Sequence, residues 1–151
     1  MKRFRTVGPV NRTQFEILNL YDLPEKNLFP FDIVQFKGLF FHLTDPIAGL
    51  RIAADLSRDI LIFSSAVIWG EADGSLRSVL QTQTQLHGSV ERLTWFPTGP
   101  RICAELIRQL GFESIKLTKY KQIKSRPTRG RLEIVAARGK SRLKGLKGEA
   151  I

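Results

Sequence analysis

The chain has 151 residues, 42% apolar and 25% charged, the proportions of an ordinary domain built on one hydrophobic core. No apolar run approaches the ~20 residues of a membrane helix, and the basic start Met1-Lys2-Arg3-Phe4-Arg5 has no apolar stretch behind it to make a signal peptide. A single cysteine, Cys103, excludes an internal disulfide framework and a Cys-rich zinc site, and fits a cytoplasmic protein. The net charge of +10 is confined to one end: residues 1–115 carry 12 Lys/Arg against 12 Asp/Glu, while residues 116–151 carry the other 12 against Glu133 and Glu149. Attraction to a polyanion would therefore come from the C-terminal region alone. The plainer reading of that region is a solvated strand pair followed by a disordered basic tail.

In chain order, Phe15-Glu16-Ile17-Leu18-Asn19-Leu20 reads as a mostly buried strand. Asp22-Leu23-Pro24 and Phe29-Pro30-Phe31-Asp32 break it, since proline cannot continue a central strand. Ile33-Val34-Gln35-Phe36 is a second strand, running into Lys37-Gly38, where glycine marks a sharp turn or a close approach of backbone. Thr44-Asp45-Pro46 is a helix start, an Asp cap followed by proline at the first helical position. Ile47, Leu50 and Ala54 give that helix an apolar face ending near Ser57. Asp59-Ile60-Leu61-Ile62-Phe63-Ser64-Ser65 is a third strand, continuously apolar as strands covered on both faces are. Strand, helix and strand make a βαβ unit.

Residues 68–94 carry little periodicity and read as a long excursion with room for a short helix. A helix beginning near Gly99 has Ile102, Leu106 and Leu110 on one stripe with Cys103 and Ile107 beside it, and Gly111 ends it at positive φ. Ile115-Lys116-Leu117 and Leu132-Glu133-Ile134-Val135-Ala136 read as two strands that pair antiparallel across residues 122–130. From Gly139 onward, glycine and Lys/Arg dominate and nothing remains to build a core.

The ordered set Leu20-Tyr21-Asp22-Leu23, Phe31-Asp32-Ile33-Val34, Gly38-Leu39-Phe40-Phe41-His42-Leu43-Thr44-Asp45-Pro46, Trp95-Phe96-Pro97 and Leu110-Gly111-Phe112 resembles the C-terminal half of class I S-adenosylmethionine-dependent methyltransferases. Within them it is most similar to the tRNA wobble-uridine carboxymethyl/methoxy methyltransferases and their relatives. The resemblance spans about residues 15–137. It implies an α/β fold, an incomplete Rossmann-like sheet that is mostly parallel with an antiparallel C-terminal strand pair. With two upstream strands skipped, its strands would run in the order 15–20, 33–36, 59–65, 132–136, 115–117, the first either shifting to pair beside 33–36 or staying loose. Residues 1–138 would form a partial methyltransferase domain, and 139–151 a basic flexible tail.

The resemblance also implies S-adenosylmethionine as cofactor, its adenine end at Leu20, Tyr21 and Asp22 and its methionine end at Lys37, Gly38 and Phe41. That location suits open α/β sheets, which bind ligands at the carboxyl ends of strands. The wobble-uridine enzymes typically carry Met and Tyr where this chain has Lys37 and Phe41, and the missing hydroxyl speaks against carboxymethyl transfer. The family's glycine-rich turn and ribose-binding acid precede the position of residue 15. Only 14 residues stand there, without Gly-x-Gly, so the expectation is a truncated or degenerate form that binds cofactor weakly or not at all.

His42 is a candidate substrate-orienting group or base, because imidazole titrates near neutrality; packed between aromatics it would be a plain loop residue. Trp95 is a candidate lid over substrate or simply an aromatic opening a helix. His87 falls in the unread excursion, and Cys103 reads as core. No metal-ligand spacing is present. The methyl acceptor is left as a small molecule or RNA. The rival readings are a small basic nucleic-acid-binding protein using residues 116–147, and a catalytically inactive interaction fragment.

Overall fold

The computed structural model describes residues 4–5, 14–85, 88–140 and 142–151. His87 lies outside them. Its centre is a five-stranded sheet formed by β3 (Phe31–Lys37), β4 (Ser57–Ile68), β7 (Ser114–Ile123), β8 (Arg126–Ala137) and β9 (Glu149–Ala150), in the spatial order β3-β4-β8-β7-β9. Two antiparallel pairs stand apart: β1 (Phe4–Arg5) with β2 (Gln14–Phe15), and β5 (Leu76–Gln85) with β6 (Gly88–Pro97). No helix among the described residues is long and apolar enough to cross a membrane.

β3 and β4 are parallel and joined by helix α1 (Pro46–Asp55), the βαβ unit expected from the sequence. The Asp45 carboxylate accepts from the Ala48 N–H at 2.9 Å. This satisfies one of the helix's orphan donors, while Pro46 has none to satisfy. The buried face is Pro46, Gly49, Leu50, Ala53 and Ala54; Ile47, expected on it, is 41% exposed. Helix α2 (Pro100–Gln109) buries Cys103, Ala104 and Ile107 most deeply, with Ile102, Leu106 and Leu110 packed partly buried at their flanks.

Along β4 every second residue is buried, Leu61, Phe63, Ser65 and Val67. This face meets Phe36 of β3 in a stacked pair at 6.2 Å and Phe40 edge-on at 5.5 Å. The alternate residues Ile60, Ile62, Ser64, Ala66 and Ile68 are half-buried, and Ile33 beside Ile60 is 54% exposed. A run as apolar as Ile60–Phe63 suits cover on both faces; the described residues cover one fully.

Three expectations are corrected. The sheet is not mostly parallel: only β3–β4 is, and β4–β8, β8–β7 and β7–β9 are antiparallel. The reason is the β7–β8 hairpin, whose return strand inserts between β4 and β7. The four strands 33–36, 59–65, 132–136 and 115–117 do lie side by side in the expected order. Phe15–Leu20 forms no strand beside β3; only Phe15 is in β2, and Leu20–Lys26 winds into a 3-10 segment started by Asn19, whose side chain accepts from the Tyr21 N–H. Apolar content without a neighbouring ladder does not make a strand. The region 139–151 is not a free tail from residue 142 on. Leu143 is 5% exposed, β9 pairs with β7, and the Ile151 side chain packs on the core while its N–H donates to the Ile115 carbonyl at 3.3 Å.

Candidate binding site

β3 delivers its carboxyl end at Lys37, and the chain then turns sharply. Gly38 adopts φ 69°, in the left-handed region that favours glycine. Its N–H donates to the Ser64 carbonyl at 3.0 Å, extending the β3–β4 ladder by one rung. A Cβ placed there would meet nothing within 4 Å, so the turn presents bare backbone to open space. The following 3-10 turn, Phe40–His42, splits its two aromatic rings: Phe40 is buried against Phe63, and Phe41 stacks on Phe96 of β6 at 5.7 Å and 15°.

Between the ends of β3 and β4, the β6 end and the β7–β8 arm lies a cavity of about 460 Å³. Its lining includes Gly38, Phe41, Ser64 and Phe96. The lining also includes Lys119 of β7 and Arg126, Arg129, Arg131 and Glu133 of β8, with Glu133 directly beside Ser64 in the sheet. Alternation along β8 places residues 129, 131 and 133 on one face. On β7 a register shift between Leu117 and Lys119 leaves Thr118 as the extra residue and sets Lys119 opposite Glu133, the re-aiming that a β-bulge produces.

Glu133 pairs with Lys37 at 3.0 Å, and the single Thr118 hydroxyl proton is shared between the Glu133 backbone carbonyl at 3.1 Å and its carboxylate at 3.3 Å. Arg129 places its guanidinium 4.0 Å over the Phe96 ring, a cation–π contact. Burial, and then the neighbouring Arg126 charge, pull the Arg129 pKa below the ordinary arginine range.

Of the residues singled out from the sequence, Lys37, Gly38 and Phe41 come together in this cavity. Leu20, Tyr21 and Asp22 do not line it. Tyr21 instead ties the 3-10 segment to the start of α1: its hydroxyl donates to the Asp45 carbonyl at 3.0 Å and accepts from the Asp45 N–H at 3.1 Å. Leu20 packs partly buried on the core, and Asp22 is exposed and accepts from the Asn19 amide. His42 is exposed beside the Phe41 ring at 4.1 Å and is not among the lining residues. Trp95 is half-buried, its indole N–H without a partner among the described residues, and its neighbour Phe96 lines the cavity in its place. Phe96 entered the sequence reading only within the Trp95-Phe96-Pro97 motif, and Lys119, Arg126, Arg129 and Arg131 only within the basic stretch 116–147 of the nucleic-acid reading. The period-two charge pattern Arg129-Gly130-Arg131-Leu132-Glu133 was the signal that three charges share one strand face.

Comparison with known proteins gives a structural likeness only. No protein-family model matches the chain, and no curated protein matches it. A crystal structure of the N-terminal domain of EvdMO1 in the presence of SAH and D-fucose matches with TM-score 0.58 at 20% identity, over 81% of this chain and 53% of that one. The same domain with SAH bound matches with TM-score 0.58 at 20% identity, over 81% and 52%. The chain thus spans about half the length of these structures. The likeness is one of fold, shared with a domain crystallised with SAH, and nothing in it points to the wobble-uridine group in particular.

Proposed function

We propose that this chain is part of an S-adenosylmethionine-dependent methyltransferase, and that its cavity is the acceptor side of the reaction site with one wall of the cofactor site beside it. The observation that carries the reading is the glycine turn at the carboxyl end of β3, Gly38 at φ 69° with open space at its α-carbon, in a fold shared with a domain crystallised with SAH. Ligands of open α/β sheets sit at such strand ends.

The residues present suit the group. Gly38 admits an approach that any side chain would obstruct, and Phe41 offers an apolar ring next to it. S-adenosylmethionine, when bound, supplies the reactive methyl group; position and electrostatics are the protein's part. The Gly38 N–H is already used by Ser64, so it positions by shape and not by donating. Glu133 holds Lys37 in place at the rim. No catalytic base is assigned, His42 being exposed beside the cavity. The Phe41 ring, lacking a hydroxyl, favours simple methyl transfer over the carboxymethyl transfer of the wobble-uridine enzymes.

With one wall of the cofactor site at Gly38 and Phe41, we expect the 151-residue chain to bind SAH weakly. Saturation-transfer NMR with SAH reads such binding directly. Transfer to SAH that is lost in Phe41→Ala and in Gly38→Val supports the reading. No transfer at millimolar SAH, or transfer unchanged by both substitutions, overturns it.

A further inference from the structure

The basic cluster around the cavity has no counterpart in what a methyl donor requires. Five cationic side chains line it, Lys37, Lys119, Arg126, Arg129 and Arg131, against the single carboxylate of Glu133. That carboxylate is taken by Lys37. The other four have no carboxylate partner among the described residues. Like charges gathered in one concavity repel, and the repulsion grows where water is partly excluded. We infer that the cavity binds a phosphate-bearing small molecule, with Arg129 and Arg131 as the principal phosphate contacts and Phe41, backed by Phe96, as the wall for its organic part.

The chemistry of each group fits that ligand. Guanidinium presents a planar fork that meets phosphate oxygens two at a time, and three of the four unpartnered cations are arginines. Arg129 and Arg131, two residues apart on β8, project from the same strand face, and the bulge at Thr118 turns Lys119 of the adjacent strand toward it. Arg126, near the β7–β8 turn, extends the positive wall outward. Phe41, half-buried and backed by Phe96 at 5.7 Å, gives a sugar or base an apolar surface. A volume of about 460 Å³ is that of a small-molecule site, where a polynucleotide would call for an open stripe of charge. The C-terminal basicity of the chain is thereby explained in part as a binding wall: four of its twelve Lys/Arg converge on this cavity.

Calling the occupant the methyl acceptor rests on the methyltransferase reading. The binding itself does not, so the test reads binding alone. Calorimetry or amide-shift titration of the 151-residue chain with a nucleoside diphosphate, and separately with inorganic pyrophosphate, reports it. Saturable binding of the diphosphate is expected, weakened roughly tenfold or more in Arg131→Gln and in Arg129→Gln and unchanged in Lys147→Gln, which lies outside the cavity. Pyrophosphate should bind more weakly than the nucleoside diphosphate, by the contribution of the aromatic wall. Arg126→Gln provides a second cavity variant should either strand substitution lower the melting temperature. Absence of diphosphate binding at millimolar concentration overturns the proposal, as does an equal loss in Lys147→Gln. Tighter binding of single-stranded RNA than of the diphosphate, abolished by Lys147→Gln, also overturns it in favour of an extended nucleic-acid surface. If SAH fails to bind while the diphosphate binds, the methyltransferase reading falls and the phosphate site stands.

Discussion

The guanidinium of Arg138 lies 4.5 Å over the ring of Phe112, and from that position it closes the ends of both helices. It donates to the Ala54 carbonyl of α1 at 2.8 Å, to the Leu110 carbonyl after α2 at 3.1 Å, and to the Ser57 carbonyl at 3.0 Å. The last carbonyls of a helix have no partner within it, and a cation there also meets the negative end of the helix dipole. Phe112 fixes the plane of the fork. Replacing Arg138 with Met should cost about 2–4 kcal/mol, since three charge-assisted bonds are lost together from a partly buried site. Urea denaturation measures it; a loss below about 0.5 kcal/mol, the range of an ordinary surface change, would refute the capping role.

Gly111 is coupled to this arrangement. It follows α2 with φ 88°, as expected for a residue ending a helix, and a Cβ there would come within 2.8 Å of an Arg138 terminal nitrogen. Gly111→Ala should therefore cost about 1–2 kcal/mol, from the left-handed backbone and from displacing the guanidinium. In an Arg138→Met background the second part vanishes and the cost should fall. Equal costs in both backgrounds would show that the two residues act independently.

Asp73 caps α2 from a distance. Its carboxylate accepts from the Arg101 N–H at 2.8 Å and from the Ile102 N–H at 3.4 Å. Gly99, at the cap position itself, has no side chain to do so, and a Cβ there would collide with that carboxylate at 2.4 Å. Asp73→Ala should cost about 1 kcal/mol as a lost cap, read by chemical denaturation. A neutral result would remove the cap from the account of how the β4–β5 connection is held.

Cys103 is 1% exposed. Burial, and then the Asp73 charge, push its thiol well above the ordinary range. The folded state thus holds the thiol protonated. Its stability contribution is complete below the unfolded-state pKa of ~8.5 and is lost progressively as pH rises from there toward the folded value. Native protein should resist thiol reagents at neutral pH, with labelling limited by unfolding. Cys103→Ala should show a shallower fall in melting temperature between neutral and alkaline pH than the parent chain. Rapid labelling of native protein, or identical pH profiles for both, would contradict the burial.

Elements whose cause is local were legible. Asp45-Pro46 starts α1 because the cap and the missing N–H act within four residues, and Gly111 ends α2 for an equally local reason. The β5–β6 hairpin was not legible. Gln81-Thr82-Gln83-Thr84-Gln85 is polar on both faces, so no alternation marks it, and its pairing with residues 88–92 is a relation between two segments. Phe15–Leu20 failed in the opposite sense: its apolar pattern was present, but among the described residues only Phe15 pairs with another strand. The site divided in the same way. Lys37, Gly38 and Phe41 follow one strand end and could be named from it. Arg129 and Arg131 join them only because β8 returns to pair with β4, which residue spacing alone does not reveal.

The most direct test of the central claim is a residue-resolved amide-shift map of the chain titrated first with SAH and then with a nucleoside diphosphate. The account predicts two adjacent sets of shifts, Gly38 to Phe41 with the first ligand and residues 129–131 with Lys119 for the second. Shifts confined to residues 140–150 with either ligand, or none at Gly38 and Arg131, would contradict it.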